Sequence, residues 1–233
     1  MPKPVSAGSD SAGQNRRGAG QRMEDGVHFW KGFVSGICAL TAALCIFRFV
    51  TMLVPENVLG HYRYYAADPS SLAPVDLDGE ILLQSAAADE FVRMQEAARK
   101  DGVFLIPLSG FRDYAKQHDL FFHGASLKNQ RKTDRSRVCA PPGYSEHHTG
   151  YSIDIGDGAF NENSLDLTFK DTASYKWLRR HAGRFHYELS FPSDRKDSRI
   201  AYEPWHWRYV GDLNSLKTFF HVRVMPGWMT LAK

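Results

Sequence analysis

Ser145-Glu146-His147-His148-Thr149-Gly150-Tyr151-Ser152-Ile153-Asp154 crowds two imidazoles, two carboxylates and a glycine into one short stretch. Further along, Glu203-Pro204-Trp205-His206-Trp207-Arg208-Tyr209-Val210-Gly211 adds another acid and another histidine. A catalytic zinc site needs protein ligands of nitrogen and oxygen type and one position left open for water. His147, Asp154 and His206 supply nitrogen, oxygen and nitrogen donors. Gly150 lies between the first two, where a residue tolerant of left-handed backbone lets the chain turn so that both face one ion. Glu203 precedes His206 by three positions, a spare carboxylate able to move a proton to and from an attacking water. Taken singly, Asp154 is an ordinary turn cap and Glu203 an ordinary surface acid. Both patterns in one chain point to a metal. Glu146 and His148 read as bystanders, and His118, His123, His181, His186 and His221 as packing or surface residues.

The rest of the chain is consistent with one folded domain and appendages. It has 233 residues, 43% hydrophobic and 24% charged, near the norm for a protein with a packed core. A net charge of +3 is too mild to argue for nucleic acid. Cys38, Cys45 and Cys139 form no disulfide framework, and Cys139 has no histidine-bearing pattern around it that would make it a nucleophile.

Residues 1–32 are polar and rich in Gly, Ser and Gln, which predicts a disordered tail. Phe33 to Val54 is apolar apart from small residues and Arg48, long enough for a transmembrane helix with Arg48 snorkelling near one end. Lys3, Arg16, Arg17, Arg22 and Lys31 precede this span, and Arg63 follows it. The positive-inside rule then keeps the N-terminus in the cytoplasm and sends the remainder to the extracytoplasmic side. Residues 55–78, with Pro55, Pro69 and Pro74, read as an extended linker lying along a domain that occupies 79–233.

Within that domain Ala87, Phe91, Met94 and Ala98 recur at helical spacing, with Asp101-Gly102 as the stop. Val103 to Leu108 reads as a buried strand. Asp113 is the expected N-cap of a helix running to about Phe122, which puts Arg112 at a strand-to-helix junction. Lys128, Arg131, Lys132, Arg135 and Arg137 make a basic loop, solvated or leaning over an anionic substrate. Trp177, Leu178, His181 and Ala182 mark a helix closed by Gly183. Strands are expected within Phe185–Phe191 and within Glu203–Gly211. Helices and strands mix without regular alternation and no phosphate-cradling glycine loop appears, so the fold class is α+β.

These motifs resemble the VanY-type D-alanyl-D-alanine carboxypeptidases, in the zinc peptidase group that also holds D-Ala-D-Ala dipeptidases and the hedgehog domain. The family's Ser-x-His-x-x-Gly-x-Ala-x-Asp is matched by Ser145, His147, Gly150, Ser152 and Asp154, and its Glu-x-x-His-Trp by Glu203, His206 and Trp207. Its Ser-Gly-Tyr-Arg-Ser-x-x-x-Gln is matched by Ser109, Gly110, Phe111, Arg112, Asp113 and Gln117. Ser152, Phe111 and Asp113 depart from the pattern. The resemblance covers about residues 80–213. It implies a small domain with a central antiparallel sheet flanked by helices, one Zn2+, and removal of a D-amino acid from peptidoglycan stem peptides. It further implies Glu203 and Arg112 as catalytic groups, with Arg112 on the oxyanion or the substrate's carboxyl end. Ser145, Gln117 and Ser109 would be substrate contacts. A dipeptidase, an endopeptidase or a silent wall-binding domain would use the same ligands. A nucleic-acid binder working through the basic loop is disfavoured.

Overall fold

The computed structural model describes Thr41 and residues 57–159, 165–194 and 199–220. The predicted tail and, Thr41 apart, the predicted membrane span lie outside them. Among the described residues no helix is long and apolar enough to cross a membrane.

In the chain after Val54, short strands β1 (Asn57–Val58) and β2 (His61–Tyr62) pair first. Strands β3 (Leu72–Pro74) and β4 (Leu82–Gln84) form a second antiparallel pair. Helix α1 (Ser85–Lys100) follows, then β5 (Leu105–Ser109). Helix α2 (Tyr114–His118) continues through one wide turn into α3 (Gly124–Leu127), and α4 (Lys132–Arg135) is a single turn. The domain closes with β6 (Ser152–Asp157), α5 (Ala173–His181), β7 (Tyr187–Leu189), β8 (His206–Tyr209) and α6 (Leu213–Thr218).

Strands β5 to β8 make the central antiparallel sheet in the order β5-β6-β8-β7. Side chains alternate across a strand, so each strand sorts its residues between two faces. Ile153 and Ile155 of β6 share a face with Trp207 and Tyr209 of β8 and Tyr187 of β7, and all join one buried cluster with Phe91 and Met94 of α1. Tyr187 meets Phe91 edge-on and donates its hydroxyl to the Ala87 carbonyl at 2.7 Å. The opposite face is polar. Ser152 stands across from Arg208, and Asp154 across from His206. Burial of one face fixes the register, because a slip of one residue would send Ile153 and Ile155 out of the core.

Helix α1 buries Ala87, Phe91, Met94 and Ala98, the predicted stripe, and ends before Gly102 at φ 74°. Asp113 caps α2 by accepting the Lys116 N–H at 2.7 Å, though helical chain runs past Phe122 to Leu127. The strand expected as buried at Val103–Leu108 is instead an edge strand, half-buried beyond Leu105. Pro107 lacks the N–H a central strand must donate, and the register shifts between Pro107 and Ser109.

Of the predicted linker, residues 57–78 lie along the domain and join its core. Asn57, His61, Tyr62, Tyr64 and Val75 are buried. Tyr64 donates its backbone N–H to the Gly143 carbonyl and Ala67 to that of His148. Folded chain therefore begins well before Gly79, which sits in the connection between β3 and β4.

Candidate active site

Asp154 and His206 face each other because their strands pair at that register, and His147 arrives from the tight helical turn Glu146–Thr149 that leads into β6. Ser145 caps that turn, its hydroxyl accepting the His147 N–H at 3.3 Å. Gly150 ends it at φ 70°, and a Cβ there would come within 2.8 Å of Leu72 Cδ2. The turn read from the sequence thus requires glycine twice over, for backbone and for space. Strand β4 runs past both, with the Gln84 N–H on the Gly150 carbonyl and the Phe111 N–H on the Leu82 carbonyl.

One ligand atom from each of His147, Asp154 and His206 lies within 4.8 Å of the others. All three residues are buried. His147 Nδ1 stands 2.6 Å from the Gly110 carbonyl, which can only accept, so Nδ1 carries the proton and Nε2 presents a bare lone pair. That Nε2 is buried without a hydrogen-bond partner, 3.2 Å from Asp154 Oδ2. A lone pair facing a carboxylate oxygen is repulsive unless a proton or a metal cation lies between them. On the other side His206 Nδ1 is 3.0 Å from Asp154 Oδ1 and Nε2 is 3.1 Å from Glu146 Oε2. The two nitrogens and one carboxylate fit a divalent ion that accepts mixed N and O donors.

Charges in the cluster shift one another. Burial holds His147 down to about 4, with the Arg112 guanidinium adding to the effect. Burial opposes the charge on Asp154, but the two imidazoles outweigh it and hold the carboxyl well below its usual range. Burial likewise opposes a charged His206, yet hydrogen bonds to Asp154 and Glu146 raise it to about 10. Without metal, then, His206 keeps a proton that a cation must displace. Glu203 lies 3.9 Å from His206 Nδ1 through Oε2. Burial pushes its carboxyl up to about 8, against the pull of His206 and with the Asp154 charge adding to the rise.

A cavity of about 440 Å³ opens over these groups, lined among others by Arg112, Gln117, Ser145, Glu203 and His206. Arg112 reaches Asp154 Oδ2 at 3.5 Å through Nη2, while its buried Nε has no partner. Gln117 donates to the Ala140 carbonyl at 2.7 Å and leaves its buried Oε1 without a partner. Ser109 lies opposite Asp154 in the sheet and is not among the cavity-lining residues. Of the basic loop, Lys128 and Arg135 line the cavity.

Two residues escaped the sequence reading. His61, from the stretch read as linker, lines the cavity and holds the Ser136 carbonyl at 2.6 Å. Glu146 is no bystander: it is buried, touches His206 and pairs with Arg208. Arg208, two residues past His206 on the same strand face, was the signal available for it. His148 does pack, with Nδ1 2.6 Å from the Arg112 carbonyl and Nε2 accepting the Gly143 N–H.

Residues 80–212 match the VanY family, described as D-alanyl-D-alanine carboxypeptidase. The chain belongs to the VanY family. Among its relatives is YodJ of Bacillus subtilis strain 168, whose carboxypeptidase name is itself provisional. It is 35% identical over 174 residues, 69% of this chain and 63% of YodJ. A D-alanyl-D-alanine carboxypeptidase of Enterococcus faecium is 34% identical over 139 residues, 58% of this chain and 40% of the relative. This VanY-family chain thus spans less than two thirds of either protein. Among solved structures, the LD-carboxypeptidase LdcB superposes with a TM-score of 0.57 at 30% identity, covering 75% of this chain and 86% of LdcB. The D,D-dipeptidase VanXYg gives 0.55 at 27% identity, over 73% and 65%. The site residues named above, apart from His61, fall inside the VanY-matched segment.

Proposed function

We propose that this chain is a zinc-dependent D-alanyl-D-alanine carboxypeptidase that removes the C-terminal D-amino acid from peptidoglycan stem peptides, held by its N-terminal apolar span on the outer face of the cytoplasmic membrane. The observation that carries the reading is the unpartnered Nε2 of His147 facing Asp154 beside His206, with Glu203 at the edge of the same cluster. His147 through Nε2, Asp154 and His206 through Nδ1 would hold the zinc. When bound, zinc supplies Lewis acidity and brings a water's pKa towards neutrality.

Glu203 takes the proton from the attacking water as the new C–O bond forms, and delivers it to the amine nitrogen as the C–N bond breaks. Its buried position makes the ionised carboxylate a stronger base than an exposed glutamate. The Arg112 guanidinium offers its unpartnered Nε to the carbonyl oxygen as that atom gains charge, or to the substrate's terminal carboxylate. Gln117 Oε1 is an acceptor for a substrate N–H, and Ser145 works chiefly by capping the ligand turn.

The test is mass spectrometry of muropeptides incubated with purified protein, with and without chelator. Loss of one terminal D-alanine, abolished by chelator, is expected. Glu203→Gln should bind zinc and lose turnover by at least about a hundredfold, the scale of general base catalysis. Undiminished hydrolysis by that variant would sink the assignment. The likeness to LdcB favours a second reading, cleavage between an L- and a D-residue. Peptides ending in D-Ala-D-Ala and in L-residue-D-Ala, compared in the same assay, separate the two.

A further inference from the structure

Glu146 takes no part in the reaction proposed above, yet it is held from every side. Its Oε1 accepts from Arg208 Nη1 at 2.8 Å. Its Oε2 accepts from Ser190 Oγ at 2.7 Å and from Ser152 Oγ at 3.3 Å, and lies 3.1 Å from His206 Nε2. Arg208 in turn forks onto Glu188, with Nε at 2.8 Å and Nη2 at 2.7 Å from the same oxygen. Glu146 and Arg208 are both buried. A buried ion pair is weak ground for stability, since desolvation consumes most of the attraction. Its placement therefore calls for another explanation.

The geometry supplies one. A carboxylate can only accept, so without metal His206 presents an N–H to both Asp154 Oδ1 and Glu146 Oε2, 3.0 and 3.1 Å away. With a cation in place of the proton on the Asp154 side, the Nε2–H held by Glu146 leaves Nδ1 as the nitrogen that would bind it. We propose that Glu146 is a positioning residue that fixes the tautomer and tilt of His206 as a metal ligand, and that Arg208 and Glu188 anchor Glu146 from behind. The cross-strand pairs Ser152–Arg208 and Glu188–Arg208 place this row on the polar face of the sheet beside the pair Asp154–His206. His147 has a carbonyl, from Gly110, in the equivalent role. Ser152, which stands where the family pattern has alanine, adds a hydroxyl donor to the same carboxylate oxygen. The inference rests on the metal-site reading above, but concerns a residue that reading leaves idle.

Zinc affinity measured by competition with a chromophoric chelator tests it, alongside the visible spectrum of the cobalt-substituted protein. Glu146→Gln is expected to weaken zinc binding about tenfold to hundredfold, the scale for losing a histidine's outer partner, and to shift the cobalt bands. Ser152→Ala should change affinity by a smaller factor in the same direction. A purely structural role would lower the melting temperature while leaving the affinity and spectrum of the folded protein unchanged, and that result overturns the proposal. Should Glu146→Gln fail to fold, nitrogen-15 NMR of the zinc-loaded wild-type protein decides. Metal on His206 Nδ1 with a protected Nε2–H supports the proposal, and metal on Nε2 overturns it. Wild-type protein that binds no zinc would refute the site reading itself, a failure distinct from unchanged affinity in the variant.

Discussion

Burial holds the Glu203 carboxyl up to about 8, and the carboxylates of Asp154 and Glu146 raise His206 to about 10. Both values lie above those of the unfolded chain, 4.5 and 6.5, so the native metal-free protein keeps protons that the unfolded chain has released. Stability then falls as pH rises through those windows. His147 works the other way. Held down to about 4 from 6.5, it contributes stability above 6.5 that is lost as pH falls through 4. Between about pH 4.5 and 6.5 the rise from His147 offsets the fall from Glu203. Between 6.5 and 8 both Glu203 and His206 pull downward, and His206 continues to 10. Denaturant unfolding of chelator-treated protein should show a plateau and then a decline from pH 6.5. Glu203→Gln should remove about half the slope between 6.5 and 8, since each group accounts for one proton. Zinc should abolish most of the decline by displacing the His206 proton. A metal-free protein that gains stability from pH 7 to 9 would contradict this account.

At the scale of elements, the clustering of His147, Asp154 and His206 was legible because strand alternation and the glycine turn are local. Ser152-Ile153-Asp154-Ile155 sorts itself between a polar and an apolar face, and Gly150 announces a left-handed turn. Glu146 was not legible, because Arg208 joins it from 62 residues away and its burial depends on that partner. The 57–75 segment was hidden for a related reason. Its prolines and polar residues look like a linker, and only the assembled sheet shows what Tyr62, Tyr64 and Val75 pack into. Tyr64 meets Phe219 edge-on with ring centroids 5.8 Å apart, and β3 is the hydrogen-bonded partner of β4. Losing a buried aromatic typically costs about 3–5 kcal/mol, against a total domain stability of roughly 5–15 kcal/mol. A chain starting at Gly79 forfeits two buried tyrosines, Val75 and the β3 edge together. Residues 57–233 should unfold cooperatively on heating, and residues 79–233 should show no cooperative transition. Equal melting temperatures for the two would show that the segment only lies on the surface.

For the molecule as a whole, the proposed substrate and the proposed topology constrain each other. Stem peptides of the wall lie outside the cytoplasmic membrane, so a carboxypeptidase acting on them must place His147, Asp154, His206 and Glu203 there. The apolar run Phe33 to Val54 is long enough to cross, and Lys3, Arg16, Arg17, Arg22 and Lys31 before it outnumber Arg63 after it. Those five charges favour a cytoplasmic N-terminus, and the proposed topology would then carry everything beyond Val54 outward. That topology adds a requirement: the cavity and its candidate ligands would have to survive outside without an internal disulfide, since Cys139 is the single cysteine after Val54 in this sequence. Protease added to intact spheroplasts should therefore digest the domain while sparing an epitope tag at the N-terminus, and detergent should expose the tag. Exchanging Arg16, Arg17 and Arg22 for glutamate should shift part of the population to the opposite orientation. A domain protected in intact spheroplasts and cut only after lysis would defeat the topology. It would also leave the zinc chemistry without access to its proposed substrate.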